Sequence, residues 1–455
     1  MSTQSAALGA ALAALLIATA DYAQGDEIEA TEVIVAEERI EPPTPAANTA
    51  PPAEEPCCTV PPLQYLDRGV AAGQSWLSGI NEKLSLHSGL SSAFQWDLND
   101  PPNGKVPYRF MTNGRSYDLE LFQIALGYDV DPAPGGFGAN VVFDAGRIAR
   151  RMKADWNGSG VIPDDSWEDK SVELQSAYLQ YNVPIGNGVT LKGGKFVTVL
   201  GSESIEPWAN PTFSRSYIFT YGSPYTGTGG TISYPATKMI TLMAGGIIGW
   251  NEVADNNNRP SAIGQIALTP SPYVDLTMSG MVGPEQSCAG KPGALPTLQG
   301  ANCNSNLRGV VDVVLDVRPR DDLSLVLDFN WGSESQASQL NPGRHGEWIG
   351  IAGTVEYDIT DCISVATRGE WFQDMQGVRL PAVAPGPTDQ PEPVGATVWA
   401  ITLDARAQLS EFIYLRGEYR YDGSPQAIFD ATTSFGADSY WKGQNTFALE
   451  LGYDF

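Results

Sequence analysis

The chain ends with the stretch GQNTFALELGYDF, residues 443–455. Apolar or aromatic residues occupy every second position from Phe447 to Phe455, and small or polar residues such as Glu450 lie between them. Alternation with a period of two is typical of a β-strand that has one apolar face and one polar face. This stretch therefore predicts a strand whose two faces meet different environments.

The same alternation continues toward the N-terminus as far as residue 84. Each candidate strand has about 10–15 residues, the length that a tilted membrane-crossing strand requires. We predict sixteen strands: 84–98, 117–129, 138–151, 171–183, 189–200, 224–235, 238–250, 259–269, 272–283, 306–318, 322–334, 347–359, 362–374, 396–409, 412–422 and 443–455.

The connections between these strands alternate in length. Long connections follow the odd-numbered strands. Short connections follow strands four, six, eight, ten, twelve and fourteen, at 184–188, 236–237, 270–271, 319–321, 360–361 and 410–411. Short turns on one side and long loops on the other are the layout of outer-membrane barrels. We therefore predict an all-β fold, a transmembrane antiparallel β-barrel of about 16 strands, with both termini periplasmic. A soluble β-sandwich would also alternate, but its apolar face would point inward.

The composition excludes several classes of function. The formal net charge of −26 argues against a nucleic-acid partner, which would need basic residues to neutralise phosphates. No C-x-x-C pair occurs, and His87 and His345 are the only histidines, so we expect no metal site and no cofactor. A hydrolytic enzyme would need a nucleophile beside a base, and neither histidine lies in such a motif. We expect no enzymatic activity.

The cysteines suggest one disulfide. Cys288 and Cys303 lie in one Gly/Pro/Asn-rich segment, and a bridge between them would hold that loop in an oxidising compartment. The alternative is that both remain free thiols. Cys57 and Cys58 are adjacent in a proline-rich stretch, and the sequence assigns them no role.

The region before the barrel is predicted to contain three segments. Residues 1–23 are predicted to be a signal peptide, because an Ala/Leu run at 8–17 is followed by small residues, although no Lys or Arg precedes it. Residues 24–62 are acidic and then Pro-rich, which predicts a disordered linker. Residues 63–83 could form one short periplasmic helix before the barrel at 84–455. Within the linker, residues 31–36 resemble the energy-coupling box of TonB-dependent receptors, or are a chance apolar patch.

Several separated motifs resemble the OmpL-like β-barrel porin family in order and spacing. They are AYLQYNVP (177–184), GNG (186–188), GKF (194–196), SRSY (214–217), PYTGTG (224–229), GWN (249–251), DNNN (255–258), PS (260–261) and GPE (283–285). The resemblance covers roughly residues 84–455 and implies an outer-membrane barrel with a channel function. It names no solute. The terminal aromatic Phe455 also resembles the signal that the barrel assembly machinery recognises.

The leading functional hypothesis is a passive diffusion channel for small hydrophilic solutes, since a barrel of this size encloses a water-filled lumen. By resemblance to general porins, the third long loop, 201–223, is expected to fold inward and form the constriction. Its candidate residues are Glu203, Glu206, Trp208, Arg215 and Tyr217. The alternative is an ordinary outward loop.

Basic residues on the lumen face of the predicted strands could set the field across this pore. The candidates are Lys192, Arg368, Arg406, Arg416 and Arg420. We expect Glu203 and Glu206 to face the four arginines across the lumen. The arginines could instead form salt bridges with Glu370, Asp404 and Glu418 and stiffen the wall, and both arrangements could coexist.

Two other function classes stay open. One is a structural or adhesive surface barrel without an open pore, and the other is an energy-coupled receptor acting through residues 31–36. The expected partners are outer-membrane lipids, the barrel assembly machinery and, by resemblance to sixteen-stranded porins, two further copies of the chain in a homotrimer.

Overall fold

The structure is a computed structural model, and it describes residues 83–100, 115–128, 135–152, 171–286, 303–338, 340, 343–380, 395–432 and 438–455. The predicted signal peptide (1–23), linker (24–62) and most of the predicted helix (63–83) lie outside the described residues, as do residues 31–36. Within the described part of the chain, no helix is long and apolar enough to cross a membrane.

Sixteen antiparallel strands form a closed barrel, which confirms the predicted fold. Consecutive strands of the barrel are neighbours, and the C-terminal strand closes the ring against the first one. The barrel strands are β1 Leu84–Asp97, β2 Arg115–Tyr128, β3 Phe137–Ala145, β4 Val172–Val183, β5 Val189–Val197, β6 Thr226–Pro235, β7 Ile240–Ile247, β8 Ser261–Ser271, β9 Val274–Pro284, β10 Leu307–Arg320, β11 Leu323–Glu334, β12 Gly346–Thr360, β13 Ile363–Asp374, β14 Ala396–Gln408, β15 Ile413–Gly423 and β18 Gly443–Asp454. A separate hairpin pairs β16 Phe429–Thr432 with β17 Asp438–Trp441.

The C-terminal strand closes the barrel against the first one. Phe455 donates its N–H to the Ser88 carbonyl (2.9 Å), and Ser88 donates its N–H to the Phe455 carbonyl (2.8 Å). Trp96 is opposite Phe447 near the other end of the pair. The chain thus enters and leaves the barrel at one rim, which also carries the short turns. We call it the short-turn rim, and the opposite one the long-loop rim.

The predicted third strand, 138–151, is wrong in its last part. β3 ends at Ala145, and a short helix, α1 Arg147–Arg151, follows it. Gly146 between them has a φ of 119°, and a Cβ atom there would lie 2.8 Å from the Glu120 carbonyl oxygen. A residue with a side chain could not turn the chain at this point so close to β2, so the strand stops where glycine permits the turn.

The two faces of the barrel wall differ as the alternation predicts. In β18, the side chains of Phe447, Leu449 and Leu451 point outward and are exposed, whereas Thr446 and Glu450 point inward and are buried. An outer band of exposed apolar side chains is what a barrel in lipid requires, because lipid replaces water around it. The polar side chains are therefore directed into the barrel interior.

We predict that Leu449→Arg destabilises the folded barrel by about 2–4 kcal/mol, because it places a charge on the outer face near mid-strand. Ser364→Arg, on the inward face of β13, is the matched control and should cost much less. Urea unfolding of the two variants in lipid vesicles measures the difference. Equal destabilisation would contradict the assignment of the two faces.

Candidate functional site

The connection between β5 and β6, residues 198–225, lies inside the barrel, and we call it the inner loop. At its start, the Val199 carbonyl accepts hydrogen bonds from Gln265 on β8 (3.0 Å) and from Ser279 on β9 (2.8 Å). Further along, the loop reaches the wall formed by β10, β11 and β13 to β15. An inward path is what the sequence predicts for this loop.

Carboxylates on the inner wall accept the backbone N–H groups of the inner loop. Each of these carboxylates belongs to a barrel strand and is buried. The bonds are Gly201 to Asp312 (2.8 Å), Ser202 to Asp328 (2.8 Å), Phe213 to Asp404 (3.1 Å), Ser214 to Glu418 (2.9 Å) and Tyr217 to Glu370 (2.6 Å). Each bond satisfies a backbone N–H group that no sheet pairs, so the wall can hold this segment of the loop in place.

Arginines donate to the backbone carbonyls of the same loop. The bonds run from Arg368 to Ser214 (2.7 Å), from Arg406 to Trp208 (2.9 Å), from Arg416 to Asn210 (2.8 Å) and Pro207 (3.2 Å), from Arg420 to Arg215 (2.8 Å) and from Arg379 to Tyr221 (2.7 Å). A loop inside a barrel cannot rely on a sheet to satisfy its polar backbone groups. Charged side chains of the wall and of the segment after β13 take that role here.

The wall arginines also form ion pairs. Arg368 contacts Glu203 (2.8 Å) and Glu370 (3.3 Å), and Arg420 contacts Glu370 (3.0 Å) and Asp422 (2.8 Å). A third pair of contacts joins Arg416 to Asp404 (3.6 Å) and to Glu450 (3.4 Å). The structure thus brings three of the predicted lumen arginines into a buried network with the inner loop.

The two remaining basic candidates contact aromatic rings. The Arg406 guanidinium lies 3.9 Å from the centre of the Tyr414 ring, and the Lys192 ammonium lies 4.5 Å from the centre of the Tyr178 ring. Contacts of this kind stabilise a cation at an aromatic face. The predicted field across the lumen stays a prediction.

The two predicted glutamates of the loop lie on different walls. Glu203 contacts Arg368, as expected for a residue facing the arginines. Glu206 instead accepts hydrogen bonds from Gln123 on β2 (2.9 Å) and Gln175 on β4 (2.8 Å). Both amides also donate to Asp144 on β3, at 3.0 Å each. Glu206 and Asp144 are therefore bridged by two glutamines.

The ionised state of Glu206 follows from this arrangement. Burial acts to raise its pKa, but hydrogen bonds from Gln123, Ser204 and Gln175 oppose burial and hold the pKa below its usual value. Donors that favour the charged form lower the pKa of a carboxyl group. Glu206 is therefore charged at neutral pH.

Trp208, Arg215 and Tyr217 are packed within or against the loop. Trp208 is buried against Gly89 of β1, where an added Cβ atom would lie 2.1 Å from the indole ring. Arg215 donates to the loop carbonyls of Ser204 (2.8 Å), Ile205 (2.9 Å) and Phe213 (2.8 Å). The Tyr217 hydroxyl donates to Asp422 (2.7 Å). These three side chains fix the shape and position of the loop.

Apolar side chains pack on both sides of the inner loop. One cluster joins Trp208, Phe213 and Phe219 of the loop to Ile148 in α1 and Met152 just after it. A second joins Tyr217 and Tyr221 to Trp348, Phe372 and, from the separate hairpin, Phe429. Neither contribution is visible in the sequence, because α1 falls within a predicted strand and the hairpin lies in a long connection where no periodic pattern marks burial.

The family motifs at 249–258 and 283–285 support the end of the inner loop. Asn251 accepts the backbone N–H groups of Tyr225 (2.6 Å) and Thr226 (3.1 Å). Glu285 accepts the N–H of Trp250 (2.8 Å), and burial raises the pKa of this carboxyl group. The motifs therefore act through backbone contacts at the long-loop rim.

Cys303 and Cys362, two cysteines among the described residues, each take part in a disulfide bond. Cys288 lies outside the described residues, so the pairing of Cys288 with Cys303 stays a prediction. The bond at Cys362, in the short turn between β12 and β13, was not expected from the sequence.

The family model described as "Putative beta-barrel porin-2, OmpL-like" matches residues 83–455. The fold is similar to the outer membrane channel DcaP of Acinetobacter baumannii (12% identity, TM-score 0.51, covering 82% of this chain and 97% of that one). It is also similar to Salmonella typhi OmpF in complex with daunomycin (10%, 0.53, 82% and 97%) and to Pseudomonas putida OprB (10%, 0.53, 84% and 97%). No curated protein has a matching sequence.

We predict that Arg416→Met lowers the free energy of unfolding by about 3–5 kcal/mol, because it leaves Asp404 and Glu450 buried without their cation. Arg318→Met is the control, since Arg318 pairs with Asp316 at an exposed position where such pairs contribute little. Urea unfolding in vesicles compares the two. A loss no larger than that of the control would contradict the proposed anchoring.

Glu206→Gln should destabilise the barrel by about 2 kcal/mol at neutral pH, because the charged acceptor of two amide donors is lost. Since the folded pKa of Glu206 lies below its unfolded value near 4.3, its contribution is present above that value and is lost as the pH falls through the folded pKa. The difference in free energy of unfolding between wild type and variant, measured by urea unfolding in vesicles, should therefore shrink toward pH ~3. A gap that widens on acidification would overturn this account.

Proposed function

Because the chain belongs to the OmpL-like β-barrel porin family, we propose that it forms a water-filled passive diffusion channel for small hydrophilic solutes. The family supports a location in the bacterial outer membrane and a non-enzymatic channel, and the similar folds support the barrel architecture. The constriction of this channel would be the inner loop, and Glu203, Glu206, Trp208, Arg215 and Tyr217 would set its position and charge.

The observation that carries the proposal is the fixed path of the inner loop across the barrel interior. Its N–H groups bond to wall carboxylates from Asp312 on β10 to Glu418 on β15, while Glu206 reaches the opposite wall at Gln123. A segment bonded to facing walls narrows the interior that it crosses. Charges that line such a narrowing control which solutes pass.

The orientation and partners of the barrel follow from its two rims. Short turns in outer-membrane barrels are periplasmic, so we place the short-turn rim and both chain ends in the periplasm. Phe455, at that rim, would be recognised by the barrel assembly machinery. Outer-membrane lipids would surround the apolar outer face. A homotrimer is proposed because one similar structure, OmpT of Vibrio cholerae, is described in a trimer form.

One observation favours a second candidate, a surface barrel without an open pore. The two apolar clusters around the inner loop bring α1 and the β16–β17 hairpin into the interior as well. If they fill the whole cross-section, the barrel would be structural rather than conducting. Conductance separates the two candidates.

We expect the purified protein to give stepwise single-channel openings in planar bilayers. The double variant Asp312→Ala/Asp328→Ala should give larger openings, because it removes the acceptors that hold Gly201 and Ser202. Asp275→Ala/Asp358→Ala is the matched control, since it removes two strand aspartates that do not hold the inner loop.

The two outcomes are separable. Insertions that stay silent in wild type would contradict the channel and favour the structural barrel. Openings that are identical in the double variant and its control would instead reject the inner loop as the constriction.

A further inference from the structure

The short turn between β12 and β13 contains Cys362, and the positions of the other cysteines in the fold limit which of them can be its disulfide partner. Cys362 lies between Thr360, the last residue of β12, and Ile363, the first residue of β13, at the short-turn rim. It is disulfide-bonded. The protein has four other cysteines, Cys57, Cys58, Cys288 and Cys303.

Cys303 is excluded as the partner by its place in the barrel. It lies four residues before Leu307, where β10 begins at the long-loop rim. A strand of 14 residues such as β10 separates the two rims, and at about 3.3 Å per residue it extends roughly 45 Å along its tilted axis. Bonded cysteines have Cα atoms about 4–7 Å apart. Cys303 cannot bridge to Cys362 over that distance.

Cys288 is excluded by the same reasoning. It follows Gln286 by two residues, and Gln286 donates to the Ser335 carbonyl (2.8 Å) just beyond the end of β11 at the long-loop rim. Two residues of extended chain span about 7 Å at most. Cys288 is therefore confined near the long-loop rim, within reach of Cys303 and far from Cys362.

We infer that Cys362 is bonded to Cys57 or Cys58, so that the N-terminal segment is covalently attached to the short-turn rim of the barrel. The reach is sufficient. Residue 84 begins β1 at this rim, and the 25 residues between Cys58 and Leu84 could extend up to roughly 85 Å. The β12–β13 turn is four to five strands from β1, which is about 25 Å along the rim.

The bond requires an oxidising compartment. Two thiols, one from Cys362 and one from Cys57 or Cys58, would exchange with the disulfide of a thiol–disulfide oxidoreductase, which leaves as a dithiol. One S–S bond forms and one breaks, and the two protons pass to the reduced oxidoreductase. The periplasm maintains disulfides of this kind. The bond would close a covalent ring of chain beside the barrel mouth, independently of whether the barrel conducts.

Trypsin digestion of the folded, oxidised protein tests the inference, because Arg68 and Lys83 lie between the cysteine pair and β1. Trypsin also cuts after Arg39, so the informative fragment is residues 40–68, which carries Cys57 and Cys58. We expect this fragment to stay attached to the barrel on a non-reducing gel and to separate after reduction. Mass spectrometry should identify a peptide containing Cys57 and Cys58 joined to one containing Cys362.

Matched variants make the outcome decisive. Cys362→Ser, and the double variant Cys57→Ser/Cys58→Ser, should each release the fragment without reduction, whereas Cys288→Ser should leave it attached. A linkage of Cys362 to Cys288, to Cys303 or to an external thiol, or a free Cys362 thiol, would overturn the inference. Release of the fragment that carries Cys57 and Cys58 from the oxidised wild type, without reduction, would also overturn the inference.

Discussion

The interior of this barrel depends on hydrogen bonds between buried acidic or basic side chains and the backbone of one loop. Wall carboxylates accept the N–H groups of the inner loop, and arginines donate to its carbonyls. Apart from a 3₁₀ turn at Pro207–Ala209 and a π-helical turn at Ile218–Gly222, this loop has no regular structure. It could not otherwise lie inside a barrel with its polar backbone groups satisfied. The fixed loop then defines where the passage narrows.

Each buried arginine of the wall lies between two acidic side chains. Arg416 between Asp404 and Glu450, and Arg420 between Glu370 and Asp422, would be costly to bury singly. Each group is offset by a partner of opposite charge and by a contact with the loop. The ring of Tyr217, which belongs to the aromatic cluster with Trp348, lies 5.0 Å from the Arg420 guanidinium and adds a cation–π contact.

The sequence predicted the wall well and the loop contacts poorly. Alternation locates strands because side-chain direction repeats every two residues, and it placed Arg368, Arg416 and Arg420 on the inward face. The helix after Gly146 was missed because it interrupts a strand pattern at a single glycine. Glu206 was expected to face the arginines, but it lies against Gln123 and Gln175. Bonds to backbone carbonyls or to distant amides leave no periodic pattern, so the path of the loop required the structure.

Hydrogen–deuterium exchange of the inner-loop amides tests the central claim most directly. The account predicts that the N–H groups of Gly201, Ser202, Phe213, Ser214 and Tyr217 exchange as slowly as those of the barrel strands, because each is bonded to a buried carboxylate. Exchange of these amides at the rate of an exposed loop would contradict it.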